Sequence, residues 1–469
     1  MADKQADLVI LGGGSGGYAA ALRSAELGKS VVLIEKDRVG GTCLHRGCIP
    51  TKALLHAGEI ADAARESATF GVNATFESVD MAGVHKYKDG VVGKNWKGLT
   101  GLIKSRGIDI VEGEGRLVAP KTVQVTGADG SSDTYTGENV VLATGSYSRT
   151  LPGLEIDGNR VIASEHALQL DHVPESAIVL GGGVIGCEFA SAWTSFGTKV
   201  TIVEALPHLV PLEDEANSKQ LERAFRRRKI DFKVGARFQG VEYTDSGVRV
   251  TLESGDTLEA ELLLVAVGRG PVSADLGYED QGVRIDRGFV VTDEYLRTGV
   301  DGVYAVGDLI TVNSQPHLQL AHVGFAEGIL VAEEIAGLPI APIDYRGVPR
   351  ITYTQPEVAS VGYSEADAVE EFGADAIKTV TYDLSGNGRS AILNTKGAVK
   401  LVAQQDGPVL GVHIVGDRVG ELIAEAQLIY NWEALPSEVA QLIHPHPTQS
   451  EAIGEAHLLL AGKPLHVHD

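Results

Sequence analysis

The chain has 469 residues, which is too long for one ordinary hydrophobic core and suggests roughly three or four domains. Its 63 acidic and 40 basic residues give a net charge of −23 at pH 7. This balance opposes binding to a phosphate backbone, so we expect no nucleic-acid partner. No apolar stretch reaches the ~20 residues of a membrane span, so no membrane partner is expected either.

The N-terminus and the cysteine content both bear on location. The first residues lack the layout of a signal peptide, and three cysteines in 469 residues cannot hold a fold together by disulfides. Both features predict a cytoplasmic location. The short basic run Arg226–Lys229 is most simply interpreted as a solvent-exposed helix face.

The first pattern in chain order is a strand, a glycine turn, a helix and a second strand. The apolar run Asp7–Leu11 leads into Gly12–Gly17, and the next strand is Ser30–Glu35. This order is that of a Rossmann βαβ unit, whose glycines allow a sharp turn, close approach of the backbone to a pyrophosphate, and close helix–strand packing. The glycines expected in these roles are, respectively, Gly12, Gly14 and Gly17.

Two cysteines follow this unit closely. Cys43 and Cys48 lie in the run Gly-Gly-Thr-Cys-Leu-His-Arg-Gly-Cys-Ile-Pro-Thr-Lys, and a helix predicted over Ile49–Ala63 places Cys48 where the helix dipole stabilises a thiolate. A redox-active pair working against a flavin is favoured, and two unrelated buried thiols remain the alternative. No metal site is predicted, because no second pair of ligands stands nearby at zinc-binding spacing.

The same nucleotide-binding unit occurs a second time. The strand Ala177–Leu180 leads into Gly181–Gly186, a helix and the strand Lys199–Glu204. The repetition predicts two dinucleotide sites, because one such glycine motif alone is weak evidence. The glycines of the second turn that match those of the first are Gly181, Gly183 and Gly186.

Each unit ends its second strand with a glutamate. Glu35 lies 23 positions after Gly12, and Glu204 lies 23 positions after Gly181. Both are placed to accept hydrogen bonds from ribose hydroxyls. The equal spacing makes a coincidental match improbable.

Further strands and turns follow the two units. Val140–Gly145 and Leu262–Gly268 each read as a strand that ends in a small-residue turn, and Val248–Leu252 alternates as in a β-meander. A third glycine turn closes Val303–Asp308, where the aspartate either meets a sugar hydroxyl or simply ends the strand.

The tail from about Ala341 has no nucleotide motif. Strands are predicted at Ala398–Gln404 and Gly411–Val415 and a helix at Arg418–Tyr430, as in an α+β module. The segment Ile443–Glu451 contains two histidines. Imidazole suits the proton transfers of thiol–disulfide exchange, and a nearby carboxylate can fix its tautomer.

Taken together, these motifs resemble the pyridine nucleotide–disulfide oxidoreductases, and within them the dihydrolipoyl dehydrogenases, over essentially the whole chain. The resemblance implies an α/β fold with two Rossmann-like dinucleotide domains and a C-terminal α+β dimerisation domain. The implied boundaries are 1–150 for an FAD-binding domain, 151–274 for an NAD-binding domain, 275–341 for a central domain that completes the FAD site, and 342–469 for the interface domain.

The resemblance also implies an activity. A homodimer with FAD and NAD would oxidise dihydrolipoamide on its partner, the lipoyl-bearing acyltransferase component of 2-oxo acid dehydrogenase complexes, and reduce NAD⁺. Cys43 is matched to the thiol that exchanges with substrate and Cys48 to the thiol that faces the flavin. His446 and Glu451 match the catalytic dyad, which the family arrangement places beside Cys43 of the other subunit.

Other positions match family contacts to the flavin and the nucleotides. Lys52 and Glu188 match a pair beside the flavin, although a routine internal salt bridge is the alternative for them. The remaining matched cofactor contacts are Lys36, Gly41, Thr42, Lys52, Thr144, Gly145, Val267, Gly268, Gly307, Asp308, Ala321 and His322.

Three positions depart from the usual family pattern, and none of them removes a reacting group. His45 replaces a common Asn, Pro445 a common Ala and Val272 a common Asn. Two other functions stay open: an NAD(P)H-dependent reductase of glutathione- or mycothiol-type disulfides, and a flavin-binding module without catalysis. The stretch 204–208 contains no Arg or Lys to bind a 2′-phosphate, which favours NAD.

Overall fold

The computed structural model describes residues 3–315 and 317–467. Its strands, in chain order, are β1 (Asp3–Leu11), β2 (Val31–Glu35), β3 (Asp109–Glu112), β4 (Glu114–Ala119), β5 (Thr122–Thr126), β6 (Ser132–Leu142), β7 (Ser146–Ser148), β8 (Val161–Ile162), β9 (Ser176–Leu180), β10 (Lys199–Val203), β11 (Asp231–Lys233), β12 (Phe238–Tyr243), β13 (Val248–Leu252), β14 (Thr257–Ala260), β15 (Leu262–Val265), β16 (Arg269–Pro271), β17 (Ile285–Asp286), β18 (Phe289–Thr292), β19 (Val303–Ala305), β20 (Ile310–Val312), β21 (Arg350–Thr352), β22 (Glu357–Gly362), β23 (Ile377–Asp383), β24 (Ala398–Gln404) and β25 (Val409–Gly416).

The α-helices of the described residues connect and flank these strands. In chain order they are α1 (Ser15–Glu26), α2 (Gly41–Arg46), α3 (Cys48–Glu66), α4 (Met81–Ser105), α5 (Ser164–Ala167), α6 (Val184–Phe196), α7 (Glu215–Arg227), α8 (Ala321–Ile335), α9 (Glu365–Phe372), α10 (Gly388–Leu393), α11 (Val419–Asn431), α12 (Pro436–Val439) and α13 (Glu451–Leu460). The predicted helix after Cys48 and the predicted strand Ala398–Gln404 are confirmed.

The chain divides into two compact units. The first contains the described residues of Met1–Ala53 together with Ala82–Arg149 and Gly268–Ile343. Its main sheet has the order β3-β2-β1-β6-β5-β4, with β19 also paired to β6, and β1 is parallel to both neighbours. The centre of β1 is fully buried, as expected for a parallel strand covered on both faces, and α1 and α8 pack against each other.

The second unit contains Leu54–Met81, Thr150–Val267 and the tail from Asp344. It has a parallel sheet of order β11-β10-β9-β15-β8, which repeats the arrangement β3-β2-β1 of the first unit. The predicted meander is confirmed, because β12, β13 and β14 form an antiparallel sheet.

The tail forms an antiparallel sheet of order β21-β22-β25-β24-β23, against which α11 and α13 pack. Its core is built from the inward-facing aliphatic residues of β24 and β25 and of the two helices. The predicted fold class, two Rossmann-like regions followed by an α+β module, is therefore confirmed. The domain boundaries at 150, 274 and 341 stay a prediction.

Candidate active site

The first glycine turn has the geometry that a dinucleotide requires. Gly12 has φ +109°, and a Cβ on it would lie 2.2 Å from the carbonyl oxygen of Ala143. A Cβ on Gly17 would lie 1.8 Å from the carbonyl oxygen of Gly12, so only glycine lets α1 pack this closely. A Cβ on Gly14 would meet nothing within 4 Å, which leaves open space at the N-terminus of α1.

The second glycine turn repeats this geometry almost atom for atom. Gly181 also has φ +109°, and a Cβ on Gly186 would lie 1.9 Å from the carbonyl oxygen of Gly181. Gly183, like Gly14, faces open space where α6 begins. Unpaired N–H groups and the positive end of the helix dipole favour a phosphate at both places. These residues fit the pyrophosphates of FAD and NAD.

The two predicted glutamates are held in the same way. Glu35 accepts hydrogen bonds from the N–H groups of Gly13 (2.7 Å) and Asp37 (2.9 Å). Glu204 accepts them from Gly182 (2.6 Å) and Leu206 (2.7 Å). Each carboxylate is thus oriented at the end of its strand and keeps lone pairs for a ribose.

The turn at Gly307 and Asp308 is held by several polar contacts. The hydroxyl of Ser146 donates to Asp308 Oδ2 at 2.5 Å, and Arg269 Nε–H donates to the same hydroxyl oxygen at 2.7 Å. The N–H of Gly307 donates to the buried carboxylate of Glu327 at 2.6 Å. Sequence reasoning missed Ser146, Arg269 and Glu327, because no motif marks residues that only hold a binding group in place.

The other predicted cofactor contacts fall in the first unit, except Val267, which ends a segment of the second unit. Ala321 and His322 form the first turn of α8, and Thr144 donates to the carbonyl of Val272 at 2.5 Å. The remaining ones lie just after β2 (Lys36), at the start of α2 (Gly41 and Thr42), after β6 (Gly145) and between β15 and β16 (Val267 and Gly268).

The two thiols lie together at the junction of two helices. Cys43 is on α2, Cys48 is the first residue of α3, and the two side chains are thiols that do not form a disulfide with each other. A hydrogen bond between the two thiol groups, together with burial, raises the pKa of Cys43. Burial and these thiols also raise the pKa of Tyr18 on α1 to about 12, so its phenol stays protonated. No motif in the sequence had indicated that Tyr18 lies near the two cysteines.

Helix α2, which carries Cys43, is anchored by residues of the first unit. A Cβ on Gly41 would lie 2.7 Å from the Cα of Gly14, so the start of α2 packs on the first glycine turn. His45, which departs from the family pattern, donates to the carbonyl of Val39 at 3.0 Å and meets Trp96 edge-on.

Lys52 and Glu188 occupy helices α3 and α6. The Glu188 side chain is buried, and its Oε1 accepts a hydrogen bond from the N–H of Tyr353 at 3.0 Å. The predicted pairing of Lys52 with Glu188 stays a prediction.

The predicted dyad is formed in the tail. His446 Nδ1–H donates to Glu451 Oε1 at 2.7 Å, and Glu451 Oε2 accepts the N–H of Thr448 at 2.7 Å. Burial opposes ionisation of Glu451, yet the hydrogen bonds from Thr448 and His446 lower its pKa overall. The His446 side chain is 74% exposed in the single chain, so its Nε2 can be reached from solvent.

Comparisons with known proteins agree with this geometry. Residues 6–328 match the family model of the pyridine nucleotide-disulphide oxidoreductases, and residues 348–457 match the dimerisation domain of that family. The chain belongs to this family. Its members use FAD and NAD, so the predicted cofactors and the prediction of an oxidoreductase are confirmed. The dimerisation domain supports a homodimer.

Individual relatives are similar over nearly the whole chain. A dihydrolipoyl dehydrogenase of Bacillus subtilis is 40% identical, covering 98% of this chain and 99% of the relative. A leghemoglobin reductase of Vigna unguiculata is 38% identical over 98% of this chain and 88% of its own length. The crystal structure of LpdA from Mycobacterium tuberculosis superposes with a TM-score of 0.89 at 29% identity, covering 97% and 99% of the two chains.

Among the described residues, no helix of this family member is long and apolar enough to cross a membrane.

Proposed function

We propose that this family member is a dihydrolipoyl dehydrogenase, which oxidises protein-bound dihydrolipoamide to lipoamide and reduces NAD⁺ to NADH. The observation that carries the proposal is the complete set of reacting groups: a contacting Cys43–Cys48 thiol pair and an accessible His446 bound to Glu451. The relatives with this name, similar along their full length, support it.

The proposed thiol–disulfide exchange takes place in two steps. With Cys43 and Cys48 as a disulfide, a thiolate of the substrate attacks Cys43 Sγ, the Cys43–Cys48 bond breaks, and Cys48 leaves as a thiolate. The second substrate thiol then attacks the sulfur bound to Cys43 and releases lipoamide, so the substrate loses two electrons and two protons. Bound FAD supplies the route by which these two electrons reach NAD⁺.

His446 is the proposed base. Its Nδ1–H is committed to Glu451, so Nε2 is free to accept a proton from each substrate thiol and pass it on. Glu451 keeps that tautomer and stabilises the imidazolium that forms. Cys48 at the start of α3 is placed where the helix dipole favours its thiolate.

The remaining site assignments belong to the same proposal. The first unit is proposed to bind FAD through its glycine turn, Glu35 and Asp308, and the second unit NAD through its own glycine turn and Glu204. Lys52 and Glu188 are proposed to lie beside the flavin. The acyltransferase component of a 2-oxo acid dehydrogenase complex is the proposed partner, and the cytoplasm the proposed location.

One comparison of activities tests this function. Purified holoprotein should oxidise dihydrolipoamide with NAD⁺ and show little NADPH-dependent reduction of glutathione or mycothiol disulfide. The reverse preference would contradict the proposal and would indicate a low-molecular-weight disulfide reductase. Absence of both activities, with flavin bound, would favour a module without catalysis.

A further inference from the structure

A second histidine–carboxylate pair lies next to the dyad in the tail. His444 Nε2–H donates to Glu425 Oε1 on α11 at 2.8 Å. The His444 side chain is only 12% exposed, in contrast to His446. The hydrogen bond with Glu425 raises the pKa of His444, although burial opposes part of this rise.

The His444 ring also packs on the helix that carries Glu451. A Cβ built on Gly454 would lie 2.5 Å from His444 Nδ1, so glycine here lets the ring lie against the backbone of α13. Because α13 begins at Glu451, His444 ties α11 to the first turn of this helix.

The short segment between His444 and Glu451 has little conformational freedom. Prolines flank His446 on both sides, and each fixes its own φ. On the far side, the Thr448 hydroxyl donates to the carbonyl of Pro445 at 2.7 Å and its N–H donates to Glu451. With Thr448 fixed in this way, the direction of the His446 ring depends on where His444 is held.

We propose that His444, held by Glu425, is a positioning residue that fixes the orientation of His446 for dithiol exchange. This inference rests on the proposed function, because it needs His446 to be the base. No proton or electron passes through His444. Its side chain acts by anchoring the backbone of a two-proline segment between α11 and α13.

The test separates dithiol exchange from electron transfer to acceptors that bypass the thiols. His444→Ala and Glu425→Ala, each of which removes the hydrogen bond, should lower kcat for dihydrolipoamide by about tenfold or more, since small misplacements of a catalytic group are costly. NADH-dependent ferricyanide reduction and the KM for NAD⁺ should stay within about twofold. His444→Gln, whose amide N–H can still donate to Glu425, should recover most of the lost rate.

A matched control is a third histidine–carboxylate pair, whose carboxylate lies on the same helix, α13. His466 donates to Glu455 of α13 at 2.8 Å but is 63% exposed and outside the two-proline segment, so His466→Gln should leave both activities unchanged. Near-normal lipoamide turnover in His444→Ala and Glu425→Ala overturns the inference. So does a parallel loss of both activities and of bound flavin, which would indicate a merely structural role.

His446→Gln distinguishes the two proposals. Full lipoamide turnover in that variant overturns the proposed function itself. Loss of turnover there, with no effect of the His444 and Glu425 substitutions, overturns only the positioning role of His444.

Discussion

The carboxylate of Glu204 is oriented by two backbone N–H groups before any ligand arrives. It cannot turn away from a 2′-phosphate without losing both hydrogen bonds, and its side chain is largely buried. Like charges at such a position repel, while a ribose hydroxyl can donate to the same oxygen. We therefore expect this side chain to contribute to the nucleotide preference of the protein.

We expect NAD⁺ to be preferred over NADP⁺ by at least about tenfold in kcat/KM, or roughly 1.4 kcal/mol. Glu204→Ala should reduce that preference. Glu35→Ala is the matched control in the first unit, and it should weaken FAD binding while leaving the nucleotide preference unchanged. Equal or better kcat/KM with NADP⁺ in the unmodified protein would contradict this assignment.

The two thiols have different expected roles, so single substitutions should separate them. Cys43→Ser should abolish lipoamide turnover but keep a long-wavelength absorption band, because the Cys48 thiolate still lies beside the flavin. Cys48→Ser should abolish both. Absorption spectra of the purified variants and a turnover assay measure the two effects.

Cys187 provides the control for these substitutions. Its side chain is fully buried on α6, and burial keeps its pKa above the ordinary range. Cys187→Ala should therefore retain both the band and turnover. Near-normal turnover in both the Cys43 and Cys48 variants would show that the dithiol mechanism is wrong.

At the scale of elements, the junction of β1 and α1 depends on glycines for two different reasons. Gly17 is required by protein packing, since its Cβ would overlap the carbonyl of Gly12, whereas Gly14 faces open space. Gly17→Ala should thus lower the thermal unfolding temperature of the protein even without cofactor. Gly14→Ala, at an ordinary φ of −72°, should leave that temperature unchanged and weaken FAD binding.

Calorimetry of the apoprotein and a fluorescence titration with FAD measure these two effects. Unchanged FAD affinity in Gly14→Ala would mean that the pyrophosphate lies elsewhere.

A partly buried carboxylate makes the tail sensitive to pH. Burial raises the pKa of Glu357 on β22 to about 7, against 4.5 for an ordinary glutamate, and its Oε2 accepts the N–H of Gly420. Between pH 4.5 and pH 7, the carboxyl group of Glu357 is mostly ionised in the unfolded chain and mostly protonated in the folded protein. The residue therefore destabilises the fold increasingly as pH rises from about 4.5 to about 7, and by a constant amount above that.

Glu357→Gln should remove this penalty. We expect it to raise the free energy of unfolding by roughly 1–3 kcal/mol at pH 8 and to change it little near pH 4. Urea unfolding at the two values, at equal protein concentration, measures the difference. A gain in the free energy of unfolding of the same size at both pH values would exclude ionisation of Glu357 as its cause.

The elements that could be predicted are those with a local signal. Glycine spacing predicted both βαβ units because only glycine fits where Gly12 and Gly181 have positive φ. The basic run shows the limit of this reasoning. Arg228 is not solvent-exposed like its neighbours: its guanidinium donates to Asp62, Ser191 and Ser195, and the side chain is 19% exposed.

The interpretation of Arg226–Lys229 as a solvent-exposed helix face was therefore wrong in part, because α7 ends at Arg227 and Arg228 is partly buried. The partners of Arg228 are 33 to 166 positions away in sequence, and nothing local marks them. The same holds for the Ser146–Asp308–Arg269 cluster and for the pair His444–Glu425. A single sequence shows which groups can react, whereas the contacts that orient them depend on tertiary structure.

At the scale of the whole molecule, the reacting groups are far apart in the chain. Cys43 lies in the first compact unit and His446 in the tail, within the family's dimerisation domain. We expect the homodimer to use Cys43 of one subunit with His446 of the other. A two-fold interface is isologous, so two equivalent sites follow, and an obligate dimer buries more than roughly 2,000 Å².

Mixed dimers test this arrangement directly. Homodimers of His446→Gln and of Cys43→Ser should each be nearly inactive, because every site carries one defect. In a heterodimer of the two chains, one site carries both defects and the other none, so about half the activity of the unmodified dimer should return. Differently tagged subunits allow heterodimers to be purified, and their turnover per bound flavin is the quantity to measure. No recovery in verified heterodimers, or a fully active monomer, would refute the shared site, because each chain would then supply both groups to its own centre.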